Sequence, residues 1–112
     1  MTTSPGPPPI VHDLSPEDVA RGITEGTMLL VDVREPHEIA VESYPDAAEV
    51  PLSQFDPADI PDPQGKRVVF ACRSGRRSVT ASQAAQAQGL PYDCHLAGGI
   101  LAWKAAGLPT ES

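Results

Sequence analysis

Basic residues are scarce in this sequence, which has eight lysines and arginines against fifteen acidic residues in 112. The formal net charge of -7 makes binding to nucleic acid or to an anionic membrane unfavourable, so we expect neither partner. No apolar run approaches the roughly 20 residues that span a bilayer. The first nine residues lack the basic and apolar segments of a secretory signal, so we expect a cytoplasmic protein.

Cysteine and histidine are also rare. The two cysteines, Cys72 and Cys94, do not form a Cys-x-x-Cys pair, and in a cytoplasmic chain we expect thiols rather than a disulfide. The three histidines, His12, His37 and His95, show no ligand spacing. The sequence therefore predicts no metal site.

The length suits one compact domain with a single core. Residues 1–9 are rich in proline and are expected to form a flexible tail, and residues 110–112 a short C-terminal tail. Between them, strand and helix patterns alternate, which predicts an α/β fold with a mainly parallel sheet. The predicted strands are residues 10–12, 28–33, 48–50, 67–71 and 92–96. The predicted helices are residues 16–25, 36–42, 76–88 and a short one around Trp103, and residues 56–65 are predicted to be a loop with one helical turn.

The segment that carries the chemistry is the Cys72 loop (residues 72–78), Cys-Arg-Ser-Gly-Arg-Arg-Ser, between a predicted buried strand and a predicted helix. Ligands of open parallel sheets bind beyond the carboxyl ends of the strands, so a site is expected here. Gly75 permits a tight turn in which successive backbone N–H groups point at one anion. A cysteine that faces these groups and a helix N-terminus is expected to have a lowered pKa and to be a thiolate.

Positive charge is concentrated at the same place. Five of the eight basic residues lie between positions 66 and 77, and we expect them to attract an anionic substrate. For Arg73 and Arg76, the alternative is solvated surface charge without a role. The candidate substrate-binding residues are Arg73, Ser74, Gly75, Arg76, Arg77 and Ser78.

Four separated motifs resemble the single-domain rhodanese family across about residues 10–109. They are Val-Asp-Val-Arg-Glu at 31–35, the segment from Pro45 to Leu52, the Cys72 loop, and Leu-Ala-Gly-Gly-Ile-Leu-Ala-Trp at 96–103 with Gly-Leu-Pro at 107–109. The resemblance implies a rhodanese-like fold, a five-stranded, mainly parallel sheet flanked by helices on both faces. The chain departs from the family at residues 42–44, where Glu-Ser-Tyr replaces Gly-His-Ile, and at Asp46, and we expect an effect on local loop shape there.

The resemblance implies a sulfurtransferase in which Cys72 is the catalytic nucleophile. Its thiolate attacks the outer sulfur of a small anionic donor such as thiosulfate, sulfite leaves, and Cys72 becomes a persulfide. A thiol or cyanide acceptor then removes the outer sulfur. Backbone N–H groups of the loop stabilise the anionic sulfur in both states, and no metal or organic cofactor is required.

The same resemblance implies that Asp32 and Arg34 order the Cys72 loop, although a purely structural ion pair is the alternative for both. For Trp103 and the Gly98–Gly99 pair we expect roles in packing and turn geometry. Cys94 lies in the last predicted strand and is expected to pack as a small hydrophobic residue.

Three other functions are alternatives to this one. A cysteine-dependent phosphatase or arsenate reductase with a Cys-x5-Arg loop needs an arginine at position 78, where this chain has Ser78. A non-catalytic interaction module is disfavoured by the presence of Cys72 among basic residues. A persulfide carrier that delivers sulfur to a partner protein uses the same chemistry, and the sequence leaves it open beside thiosulfate:cyanide sulfur transfer.

Overall fold

The computed structural model of the chain describes residues 9–112, so residues 1–8 of the expected N-terminal tail lie outside the described residues. Five strands form one sheet: β1 (His12–Leu14), β2 (Met28–Asp32), β3 (Ala48–Glu49), β4 (Arg67–Ala71) and β5 (Cys94–Leu96). Their spatial order is β1-β5-β4-β2-β3, and each of these neighbours pairs in parallel. The sheet therefore has β4 at its centre, and the Cys72 loop leaves from that central strand.

In the described residues, three α-helices connect strands, namely α1 (Pro16–Thr24), α2 (Pro36–Val41) and α3 (Arg77–Ala87), and a fourth, α4 (Gly99–Ala105), follows β5. The start of α1 follows from its sequence, because the Ser15 side chain accepts a hydrogen bond from the backbone N–H of Asp18 at 3.2 Å and Pro16 occupies the first turn. Within residues 9–112, no helix combines the length and the apolar character needed to cross a membrane. The α/β fold class predicted from the sequence is confirmed.

Side chains of the central strands alternate between two cores, because successive residues of a strand point to opposite faces. The face under α1 and α4 contains Val19, Leu30, Val69, Ala71, Ile100 and Trp103. The face under α3 contains Val31, Val68, Phe70, Ala81 and Ala85. Helices thus cover both faces of the sheet, as a parallel sheet requires.

Two strands begin two residues later than the sequence predicts. β1 was predicted at residues 10–12 but lies at His12–Leu14, where it pairs with β5, while Ile10 is 68% exposed. The apolar residues at 10 and 11 suggested the earlier position, and the register with β5 determines the later one. β5 begins at Cys94 rather than at residue 92, and a 3-10 turn at Leu52–Gln54 was not predicted.

The last residues of the chain contact the body of the protein. The backbone groups of Ser43 and Glu111 form two hydrogen bonds, of 2.7 and 2.9 Å, in an isolated antiparallel bridge. The Thr110 hydroxyl also donates a hydrogen bond to the Glu42 carboxylate at 2.7 Å. These contacts attach the C-terminal residues to the segment that follows α2.

Candidate active site

The Cys72 side chain is almost entirely enclosed. It follows the last residue of β4 and is 1% exposed. The backbone N–H of Gly75 donates a hydrogen bond to its Sγ at 3.1 Å, and the Ser78 Oγ lies 3.4 Å from the same sulfur. Gly75 has φ +96°, a conformation that favours glycine and that turns the loop back toward the sulfur.

The loop changes the acidity of this thiol. Burial raises the pKa of the Cys72 thiol, but hydrogen bonds from the Ser78 side chain and from the backbone N–H groups of Ser78, Gly75 and Ser74 outweigh burial and hold the pKa below its usual value. Cys94 shows the opposite behaviour, because burial and a neighbouring carboxylate raise its pKa. The two cysteines therefore differ in reactivity for identifiable physical reasons.

The N-terminus of α4 fixes the start of the Cys72 loop. The backbone N–H of Ile100 donates to the Cys72 carbonyl at 2.9 Å, and that of Leu101 donates to the Arg73 carbonyl at 3.2 Å. Gly99 has φ +60°, and a Cβ at this position would overlap both carbonyl oxygens. The double glycine thus has the turn and packing role that the sequence indicated.

The predicted loop-ordering residues Asp32 and Arg34 form a buried ion pair, whose side chains are 1% and 4% exposed. The Arg34 guanidinium donates to both carboxylate oxygens of Asp32 and lies 5.4 Å from the centre of the Tyr44 ring. The Tyr44 hydroxyl in turn donates to the Cys72 carbonyl at 2.7 Å. The ion pair is therefore connected to the Cys72 loop through Tyr44, one of the positions where the chain departs from the family pattern.

The loop arginines have different surroundings. Arg73 and Arg76 are exposed, and neither forms an ion pair with any of the described residues. Arg77 donates two hydrogen bonds, of 2.6 and 2.8 Å, to the carboxylate of Glu38 on α2. The hydrogen bond from Arg77 is the largest cause that lowers the pKa of Glu38 to about 2. The charge of Arg77 is therefore balanced by Glu38.

Two residues that the sequence analysis did not assign to the site extend it on the side of Ser78. The Ser78 Oγ lies 2.8 Å from Nδ1 of His95, and Nε2 of His95 lies 2.5 Å from the Asp13 carboxylate. The alternation of β5 could have indicated where the His95 side chain lies. Cys94 and Leu96, on either side of it, belong to the core under α1 and α4, so the His95 side chain points to the other face, toward α3. Asp13 becomes a partner only because β1 pairs with β5.

Comparison with known proteins identifies the family of this domain. Residues 15–106 match the family model described as the rhodanese-like domain. The chain belongs to the rhodanese-like domain family. This rhodanese-like domain has a five-stranded fold with Cys72 directly after the central strand. Both features agree with the resemblance seen in the sequence.

Individual relatives support the same assignment. A sulfurtransferase of Allochromatium vinosum is 36% identical over 101 residues, which cover 89% of this chain and 94% of the relative. An uncharacterized protein of Synechocystis is 41% identical over 97 residues, which cover 87% of this chain but only 54% of the relative, so the chain spans about half the length of that protein. The crystal structure of thiosulfate sulfurtransferase from Pseudomonas aeruginosa superposes with a TM-score of 0.75 at 30% identity and covers 100% of this chain and 21% of that one. Together with the family match, these relatives support sulfur transfer as the general class of reaction.

Proposed function

We propose that this rhodanese-like domain transfers sulfur from a small anionic donor such as thiosulfate to a thiol or cyanide acceptor through a persulfide on Cys72. The observation that carries the proposal is the set of hydrogen bonds that the Cys72 sulfur forms with Gly75 and Ser78, which lower the pKa of the thiol despite its burial. A nucleophile of this kind is in its reactive thiolate form at lower pH than an ordinary cysteine.

The reaction has two half-reactions. In the first, the Cys72 thiolate forms a bond to the outer sulfur of thiosulfate, the bond between the two thiosulfate sulfurs breaks, and sulfite leaves with the bonding electron pair. Cys72 then carries an anionic terminal sulfur. The N–H groups of the loop stabilise this charge by hydrogen bonds, without transferring a proton to the sulfur. In the second, the acceptor attacks this terminal sulfur and the Cys72 thiolate is restored.

The acceptor is proposed to be either a small molecule or a thiol of a sulfur-accepting protein. Arg73, Ser74 and Arg76 are the exposed residues of the Cys72 loop, so they are available to contact the donor or the acceptor. Nothing in this scheme needs a metal ion or an organic cofactor, since the nucleophile, the leaving group and the charge stabilisation are all accounted for.

The surroundings of position 78 support sulfur transfer over the phosphatase alternative. A phosphatase loop binds its tetrahedral phosphate with an arginine at this position, but here Ser78 is buried and faces His95, and the preceding Arg77 is bonded to Glu38. We therefore expect no appreciable turnover of an aryl phosphate. Phosphate release that is abolished in Cys72→Ser would contradict the assignment.

Intact mass spectrometry under non-reducing conditions tests the function directly. After incubation with thiosulfate, the wild-type protein should gain the mass of one sulfur atom and Cys72→Ser should gain none, with loss of essentially all thiosulfate:cyanide turnover. The matched control is Cys94→Ser, which removes the other buried thiol and should gain sulfur like the wild type. A variant Cys72→Ser that keeps substantial turnover would refute the proposed mechanism.

A further inference from the structure

Four polar side chains form a continuous line from the core to the surface. The Cys72 Sγ lies 3.4 Å from the Ser78 Oγ, the Ser78 Oγ lies 2.8 Å from Nδ1 of His95, and Nε2 of His95 lies 2.5 Å from the Asp13 carboxylate. Ser78 is fully buried, the His95 side chain is 4% exposed, and the Asp13 side chain is 76% exposed. The line therefore connects an enclosed thiol with solvent.

The carboxylate at the outer end determines the direction of each hydrogen bond. An ionised carboxylate only accepts, so Nε2 of His95 carries the hydrogen, and Nδ1 of the neutral ring is an acceptor. Nδ1 then accepts the hydrogen of the Ser78 hydroxyl, and the Ser78 oxygen accepts the S–H of Cys72. All donors in the line consequently point from Cys72 toward His95, and His95 points toward Asp13.

We propose that Ser78, His95 and Asp13 form a proton relay that removes the thiol proton from Cys72 and holds it on His95. The inference rests on the proposed function in one respect, namely that Cys72 is the nucleophile. His95 and Asp13 act on the sulfur only through Ser78, so they are positioning residues for the thiolate and do not contact the sulfur donor.

The proton transfer balances within the protein. The S–H bond of Cys72 breaks and its proton forms a new bond to the Ser78 Oγ, while the former hydroxyl proton of Ser78 moves to Nδ1 of His95. The products are a Cys72 thiolate, a neutral Ser78 whose O–H now points at the sulfur, and a His95 imidazolium. Asp13 accepts the hydrogen bond from Nε2 and stabilises the positive charge of the ring.

The surroundings of His95 favour this charge distribution. β1 contributes the Asp13 carboxylate, β4 leads into Cys72, and α3 contributes the uncharged Ser78. Phe70 is the register partner of His95 on β4, and Cε1 of the ring lies beside Gly75 of the loop. Once formed, the thiolate and the Asp13 carboxylate both attract the imidazolium. Burial of Cys72, Ser78 and His95 strengthens the two hydrogen bonds that Ser78 forms with its neighbours.

The rate of Cys72 alkylation by iodoacetamide as a function of pH tests the relay, because only the thiolate reacts. The experiment uses a Cys94→Ala background so that one thiol is observed. An opposite charge at this range shifts a pKa by about one unit, so His95→Gln should raise the alkylation midpoint by about one unit. The rate should fall about tenfold at pH values below both midpoints and be equal at pH values well above them.

Two further variants separate the relay from a general effect on the fold. Asp13→Asn changes an exposed side chain and should shift the midpoint in the same direction by a smaller amount. His12→Gln is the matched control. Like Asp13, His12 lies on β1, and its Nε2 lies 3.5 Å from the Asp93 carboxylate, but His12 is not connected to Cys72. The alkylation midpoint of this variant should equal that of the starting protein. If His95→Gln does not fold, as judged by its thermal melt, Asp13→Asn alone decides.

The role of Ser78 as the link is tested by a double-mutant cycle. In a Ser78→Ala background the line is interrupted, so His95→Gln should shift the midpoint less than it does when Ser78 is present. Equal shifts in both backgrounds, or unchanged midpoints in His95→Gln and Asp13→Asn, would overturn the relay. Alkylation requires no sulfur donor, so a failure to gain sulfur from thiosulfate would refute the proposed function without affecting this test.

Discussion

Arg77 differs from the other arginines of the Cys72 loop because its charge is already paired. Glu38 accepts both of its hydrogen bonds, whereas Arg73 and Arg76 are exposed and form no ion pair with any residue in the described range 9–112. We therefore expect an anionic donor to be attracted mainly by Arg73 and Arg76. Arg77 instead holds the N-terminus of α3 against α2.

The variant Arg73→Gln/Arg76→Gln should raise the apparent KM for thiosulfate about twofold to fivefold with little change in kcat, because exposed charges contribute less than about 1 kcal/mol. Arg77→Gln should lower kcat as well, because it releases the loop from α2. Steady-state kinetics with thiosulfate distinguish these outcomes. An unchanged KM in the double variant would mean that Arg73 and Arg76 are only solvated surface charge.

At the residue scale, the sequence predicted the part of the site that is contiguous. Cys72, Gly75 and Ser78 lie within seven residues after a buried strand, so local geometry alone brings them together. Tyr44 and His95 were not predicted as site residues, because they reach Cys72 and Ser78 across 28 and 17 positions of the chain. Such contacts depend on which strands are neighbours in the sheet and on the path of the loops between them. Neither can be read directly from a single sequence.

At the element scale, the start of the Cys72 loop is held from two sides. The Cys72 carbonyl accepts two hydrogen bonds. One comes from the hydroxyl of Tyr44, a residue that follows α2, and the other from the backbone N–H of Ile100 at the start of α4. The T-shaped contact between the rings of Tyr44 and Trp103, with centroids 5.6 Å apart, joins these two supports. The position of the Cys72 loop therefore depends on elements from both halves of the chain.

Tyr44→Phe should lower the free energy of unfolding by about 1 kcal/mol, the net contribution of a buried hydrogen bond. The melting temperature should fall by about 4 °C, and kcat should decrease because the Cys72 carbonyl loses one of its two donors. Thermal melts and sulfur-transfer kinetics measure both effects.

The matched control is Tyr92→Phe, since the partly buried Tyr92 ring packs against Phe70 of the core, but its hydroxyl forms no hydrogen bond among the described residues. The control should retain the wild-type melting temperature and kcat. Equal effects of the two substitutions would mean that the Tyr44 hydroxyl does not support the loop.

Among the elements, those with continuous apolar runs were predicted best. β2 and β4 are buried on both faces, so their hydrophobic patterns alone define them. The short edge strand β1 was misplaced because its residues, His-Asp-Leu, carry little strand signal and depend on pairing with β5. A three-residue strand of this kind is determined by its neighbour rather than by its own propensity.

At the scale of the whole molecule, two opposing fields act on an anionic donor. The net charge of -7 repels it, while the basic residues around the Cys72 loop attract it at short range. Salt screens both fields, since the Debye length decreases from about 10 Å at 0.1 M to about 3 Å at 1 M. The sign of the salt effect therefore reveals which field dominates.

The KM of the wild-type protein for thiosulfate should rise with ionic strength, because salt screens the attraction by Arg73 and Arg76. In the Arg73→Gln/Arg76→Gln variant the local attraction is largely removed and the net negative charge dominates, so KM should fall or stay constant as salt increases. A titration with a monovalent salt in both proteins measures this difference. A parallel rise of KM in both would contradict a role for these two charges in donor capture.

The pairing of β1 with β5 also has a consequence for protein synthesis. β1 leaves the ribosome before the other described strands, but in the described sheet it pairs only with β5, and Asp13 lies 82 positions before His95. Until β5 has emerged, Ser78 lacks its contact with His95, so we expect the pKa of the Cys72 thiol to lie closer to the usual value of a cysteine. We therefore expect the Cys72 thiol of the nascent chain to react more slowly with oxidants than that of the folded domain, because only the thiolate is reactive.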